Sequence, residues 1–288
     1  MPYLVDKIGE TTVTVDITPN GRGDAVVETP SGDFFVTPEE RAMPFKAFVE
    51  LLHASRSDPT HGVPYVQHQN GSFISEFSEL LEDADEELSW ASEALALQPD
   101  AVNIWIGDER AVTSMHKDHY ENLYAVVAGQ KHFTLLPPVE CHRVYYTSYP
   151  AASYRQDEGT REFSITPEEP TREVSWIPVD PHPAADRVEA ERARFPKFFH
   201  GAPCVECTLN PGDVLYLPAM WYHYVRQTPD PDMGVTIAIN FWYDMAFDFR
   251  FACFGFLERL VADCNKNQIA NVANLEEDAG PRESSFDG

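Results

Sequence analysis

Alternating apolar and polar positions mark short strands along most of this chain. Thr12–Ile17 alternates and stops at the turn signal Pro19-Asn20-Gly21. Asp33–Val36 reads as a second strand. Pro38-Glu39-Glu40 predicts the opening of a helical region, and Phe45, Phe48, Val49 and Leu52 fall on one helical face from Pro44 onward. Val63–Gln67 reads as a short strand, and residues 73–98 alternate helical turns with acidic loops. Val102–Ile106 begins a strand-rich core that continues through Lys131–Leu136, Val214–Leu217, Trp221–Val225 and Val235–Asn240. The predicted class is mainly β with flanking helices.

Three segments lie outside that core pattern. Residues 139–200 form a long insertion rich in Pro, Glu and Tyr. Its aromatics, including Tyr145, Tyr146, Tyr149, Tyr154 and Trp176, predict packing over the mouth of the core. It forms either part of a substrate groove or a cover without substrate contact. A helix is predicted from about Met245 to Asn265. Phe247, Phe251, Phe254 and Val261 form one apolar stripe on it, and Phe249, Cys253, Phe256 and Leu260 a second, roughly opposite. A surface helix buries one stripe, so the second predicts a homodimer through 245–265. Residues 1–265 read as one domain, and 266–288 as an acidic, disordered tail.

Composition narrows the classes. The 288 residues carry 21 basic and 47 acidic side chains, a net charge of −26. That balance argues against nucleic acid and membrane surfaces, and it either favours basic partners or serves solubility alone. No apolar run is long enough to span a membrane. Five cysteines without a secretion signal suggest reduced thiols, hence a cytoplasmic protein with the nucleus as a further address. Cys204 and Cys207 have C-x-x-C spacing, but no second pair completes a zinc site, and in a strand they face opposite ways.

The chemistry concentrates in Thr113–Lys131. His116 and Asp118 form a His-x-Asp pair, which in a strand would share one face. His223 ends a later apolar strand launched by Pro211-Gly212-Asp213. Two histidines and a carboxylate are the ligand set of non-haem Fe(II) oxygenases. Lys131 starts a buried strand just past Gly129 and needs an anionic partner. That partner is either a protein carboxylate or an anionic co-substrate.

These motifs resemble the JmjC-domain 2-oxoglutarate oxygenases. The resemblance is carried by Trp105-Ile106-Gly107, Val112–Tyr124, Gly129–Phe133, Leu215–Ala219 and Asn240–Met245, with support from Trp90–Leu95 and Trp176–Asp180. It covers nearly the whole chain to about residue 260. Family members carry a further N-terminal segment that this chain lacks, so a shortened or truncated N-terminal part is expected. The resemblance implies a double-stranded β-helix of jelly-roll or cupin type. It implies Fe(II) on His116, Asp118 and His223, with O2 and 2-oxoglutarate as co-substrates. It places the distal carboxylate of 2-oxoglutarate on Lys131, helped by Tyr65 and Thr113, with Asn122 and Asn240 near the co-substrate. The nearest branch implies C3 hydroxylation of a lysyl residue in translation-associated GTP-binding proteins. Peptidase action on histone tails and a non-enzymatic cupin-like binding module are the alternatives. Neither has a use for Lys131 beside the triad.

Overall fold

The computed structural model describes the backbone of residues 1–278 and the side chains of residues 1–264. Helix α1 (Pro2–Ile8) leads into β1 (Thr12–Thr18), the short β2 (Arg22–Gly23), and a hairpin of β3 (Ala25–Thr29) and β4 (Gly32–Thr37). β5 (Glu39–Pro44) then pairs antiparallel with β1, from Thr12 opposite Pro44 to Ile17 opposite Glu39. This corrects the helix expected from Pro38-Glu39-Glu40. A proline followed by two acids is a local helix-start signal, and pairing with β1 along the whole segment overrides it. Helix α2 (Phe45–Ser57) starts directly afterwards and buries Phe45, Phe48, Val49 and Leu52, as their spacing predicts. β6 (Val63–Tyr65) completes a three-stranded sheet, β5-β1-β6. Helices α3 (Ser72–Glu76) and α4 (Ser89–Leu95) occupy the region of helical turns and acidic loops.

The core strands follow as β7 (Ala101–Gly107), β8 (Val112–His116), β9 (Tyr120–Ala128) and β10 (Gln130–Leu136). The insertion contributes β11 (Thr147–Gln156), β12 (Phe163–Pro167), β13 (Glu173–Trp176), α5 (Val188–Arg194) and α6 (Pro196–Phe199). The core resumes with β14 (Val205–Leu209), β15 (Val214–Leu217), β16 (Tyr222–Thr228) and β17 (Thr236–Asp244). Two antiparallel sheets result, β15-β9-β17-β7 and β14-β10-β16-β8, the latter extended by β2 in parallel with β8. This is the expected double-stranded β-helix, mainly β with flanking helices.

Side-chain alternation divides the core. Val102, Ile104 and Ile106 of β7 join Ile237, Ile239 and Phe241 of β17 in a cluster with Phe45, Phe48 and Leu52 of α2. Trp105, Tyr124 and Ala238 point the other way and meet Phe133, Leu135 and Val225 of the opposite sheet. β7 is therefore buried on both faces along its whole length, which explains its nearly continuous apolar run.

The insertion is no loose cover. β11 pairs in parallel with β4, Ala151 opposite Phe35, so the insertion and the N-terminal hairpin share the sheet β12-β11-β4-β3. Helix α7 (Phe249–Asp278) starts later than expected and continues into the stretch predicted to be a disordered tail. Residues 279–288 of that tail lie outside the described residues. All five cysteines are free thiols. No helix among the described residues is long and apolar enough to cross a membrane.

Candidate metal centre

His116 closes β8, and the strand ends there. Asp118 therefore lies in the following loop, not on the strand face predicted from the i, i+2 rule. A different contact fixes it: its backbone carbonyl accepts a hydrogen bond from Met220 N at 2.8 Å, and Met220 takes a left-handed φ of 68° to reach it. His223 is the second residue of β16 and pairs across the sheet with His116.

The three side chains converge. His116 Nε2 lies 3.7 Å and His223 Nε2 3.6 Å from Asp118 Oδ2. The imidazole centroids are 4.1 Å apart. Among the described residues, this is the group of acids, histidines and cysteines close enough to hold a metal ion.

The tautomers support the same use. His116 Nδ1 is 2.8 Å from the Ser114 carbonyl, and His223 Nδ1 is 3.1 Å from the Trp221 carbonyl. A carbonyl only accepts, so each Nδ1 carries the proton. Both Nε2 lone pairs then face the same point, the arrangement of metal-bound histidines. Burial, and then the neighbouring His116, push the His223 pKa down to about 4, which keeps it a neutral donor. Two imidazoles and one carboxylate fit a divalent iron.

A narrow cavity beside the triad is lined by Thr113, Asn122, Tyr124, Phe133, Asn240 and Trp242, among others. Asn122 and Asn240 are buried and joined, Asn240 Nδ2 donating to Asn122 Oδ1 at 3.1 Å. Asn240 Oδ1 accepts from Trp105 Nε1 at 2.7 Å and from Asn103 Nδ2 at 3.3 Å. Both asparagines thus form an internal hydrogen-bonded ladder as well as a cavity wall.

Lys131 is 1% exposed and points inward from β10. Its ammonium donates to Tyr65 Oη at 3.0 Å and sits over the rings of Tyr65 and Tyr124. Tyr65 is also hydrogen-bonded with Thr113. Among the described residues no carboxylate pairs with Lys131. Burial alone pulls its pKa down to about 7. Among the described residues the protein-carboxylate alternative is thereby removed, and a lysine amine without a counter-charge lies in the barrel interior on the same side of the core as the triad.

The structure adds contacts that the motifs did not reveal. Trp176, at the end of β13, stacks on His116 at 5.8 Å between ring centres and 6° between planes. Its Nε1 donates to Ser114 Oγ at 3.0 Å, and Ser114 Oγ donates to the Asp24 carbonyl at 2.5 Å. The insertion thus touches a metal-ligand candidate directly. Asp24 has a left-handed φ of 49°. Its carboxyl lies close enough to feel the charges of His116 and Glu40, and burial raises its pKa. Nothing local in the sequence distinguishes Asp24 from the other 46 acids.

Sequence comparison now decides the family. The profile of the cupin-like domain family matches residues 1–249. The chain belongs to that family, in its JmjC branch. It is 45% identical over 259 residues to lysine-specific demethylase JMJ32 of Arabidopsis thaliana, covering 90% of this chain and 74% of the relative. It is 42% identical over 261 residues to the human bifunctional peptidase and (3S)-lysyl hydroxylase JMJD7, covering 90% and 76%. JmjC domain-containing protein E of Dictyostelium discoideum is 33% identical over 272 residues, covering 89% and 76%.

Proposed function

We propose that this protein is an Fe(II)- and 2-oxoglutarate-dependent hydroxylase that acts on a lysyl side chain of a partner protein, at C3. The observation that carries the reading is Lys131: a buried ammonium without a carboxylate partner among the described residues, inside the barrel that holds a His-Asp-His metal centre. A binding module or a peptidase has no need of that cation. In this reading His116, Asp118 and His223 hold the iron. Lys131, Tyr65 and Thr113 take the distal carboxylate of 2-oxoglutarate, while Asn122 and Asn240 wall the cavity. Iron, 2-oxoglutarate and O2 together supply the oxidising power when bound. The chain supplies orientation, charge neutralisation and a site shielded from water.

The lysyl part rests on charge beside the site. Asp16, Asp24 and Glu40 are near enough to influence one another, and Asp24 also feels His116. Asp16 is buried with Oδ2 on Gln67 and Oδ1 unpartnered. Asp24 has no hydrogen bond or ion pair through its carboxylate among the described residues. Neighbouring carboxyl groups that no lysine or arginine pairs with among the described residues favour an incoming ammonium. The lysyl hydroxylase name of the human relative agrees, and the family resemblance extends the proposal to translation-associated GTP-binding proteins. Five free thiols agree with a reducing compartment, the cytoplasm or nucleus.

The name of the Arabidopsis relative favours a second reading, removal of a lysyl N-methyl group. One experiment separates the possibilities. Lysine and methyl-lysine peptides are incubated with Fe(II) and 2-oxoglutarate, and succinate and peptide mass are followed. Gain of one oxygen atom on an unmodified lysine supports hydroxylation. Loss of a methyl group with formaldehyde release supports demethylation. Peptide cleavage without succinate overturns both.

We further propose a homodimer through α7. Leu257 and Val261 pack against the core, while Phe249, Phe256 and Leu260 are 75%, 59% and 47% exposed. Cys253 of the same stripe is also exposed. Of the opposite stripe, Phe251, Phe254 and Val261 are half-buried, and Phe247 precedes the helix and stays largely exposed.

A further inference from the structure

The metal centre and the C-terminal helix meet at one carboxylate. Lys117 stands between the candidate ligands His116 and Asp118, and its side chain is 8% exposed. Its ammonium is ion-paired and hydrogen-bonded with Glu258 of α7. The same Glu258 Oε1 accepts from Tyr222 Oη at 2.6 Å. Tyr222 is fully buried and directly precedes His223. Lys117 also lies over the ring of Tyr222, 5.8 Å from its centre. One acid, more than a hundred residues from the His-x-Asp pair, therefore touches the immediate chain neighbours of all three ligand candidates.

We propose that Glu258 is a positioning residue for the metal centre, holding the His116–Asp118 loop and the start of β16 in mutual register. The proposal rests on the reading of His116, Asp118 and His223 as metal ligands. The physical reason lies in what its loss leaves behind. Without Glu258, Lys117 becomes a nearly buried ammonium without its carboxylate, and Tyr222 a buried hydroxyl without its acceptor. The loop between the two ligands is the part best able to move and let Lys117 reach water, because β8 has already ended at His116. Such movement separates Asp118 from the two histidines. Metal affinity falls steeply when its supporting contacts go.

The test is a titration of the metal-free protein with Co(II), read by its visible absorption, which requires no turnover. The chains compared are wild type, Glu258→Gln, Glu258→Ala, Lys117→Met/Glu258→Gln and, as a control, Asp118→Ala. Circular dichroism and urea titration establish the folded fraction of each. We expect Asp118→Ala to lose the Co(II) band, and Glu258→Gln and Glu258→Ala to weaken affinity by about ten- to a hundredfold. The double variant removes both charges and should recover much of the affinity lost by Glu258→Gln. If Glu258→Gln is folded and binds Co(II) like wild type, the proposal fails. It also fails if the Glu258 variants lose only stability while their folded fraction keeps full Co(II) affinity. A wild type whose Co(II) band survives Asp118→Ala overturns the ligand reading itself, and this inference with it.

Discussion

Lys131 donates to the Tyr65 hydroxyl at 3.0 Å, across 66 positions of sequence, and among the described residues no carboxylate neutralises it. Burying a lysine without a counter-charge costs stability, so its place in the barrel interior points to an anionic ligand. Lys131→Ala should weaken 2-oxoglutarate binding much more than metal binding. A charge-assisted hydrogen bond is worth about 1.5–3 kcal/mol, so the loss should be roughly ten- to a hundredfold. Calorimetric titration of the metal-loaded protein checks this. Unchanged co-substrate affinity would remove Lys131 from the site.

The same lysine predicts a pH dependence. Burial lowers its pKa from 10.5 to about 7 in the folded, ligand-free chain. Between those values the unfolded chain binds the extra proton and the folded chain does not. The Lys131 contribution to stability therefore rises as pH increases from about 7 to 10.5. Co-substrate binding has the opposite sign, because it needs the ammonium. Affinity for 2-oxoglutarate should be greatest below about pH 7 and decline above it. Urea denaturation and calorimetry at several pH values measure both slopes, and Lys131→Met should lack this component of each.

Asp24→Asn should raise KM for a lysyl peptide about tenfold, since the half-buried carboxylate loses a charge-assisted bond. The apparent requirement for 2-oxoglutarate should change little. A peptide with norleucine in place of lysine should already be poor with wild type and no poorer with the variant. An equal loss on both peptides would assign Asp24 to the fold instead.

The exposed stripe of α7 predicts a dimer that Phe249→Glu/Phe256→Glu converts to a monomer. Sedimentation velocity at micromolar concentration reads the change. A monomeric wild type, or a dimeric variant, would end the proposal.

Much of the site was legible in the chain because its carriers are local. His116 and Asp118 are two residues apart, and Lys131 starts a strand whose apolar run is itself a signal. The core strands and the buried face of α2 follow from periods of 2 and 3.6, which the backbone enforces wherever one face is dry. Tertiary structure decided what depends on distant partners. Glu39–Pro44 became a strand because β1 offered it a continuous ladder. Asp118 took its place from Met220, a hundred residues away, after its own strand had ended. The insertion became a sheet because β4 accepted β11, and only that sheet sets Trp176 on His116. Glu258 looks like any acid on a helix until the fold lays it against Lys117 and Tyr222. Periodicity reports which face of an element is buried. It carries no information about which distant side chain will be buried against it, because that depends on how the whole chain closes.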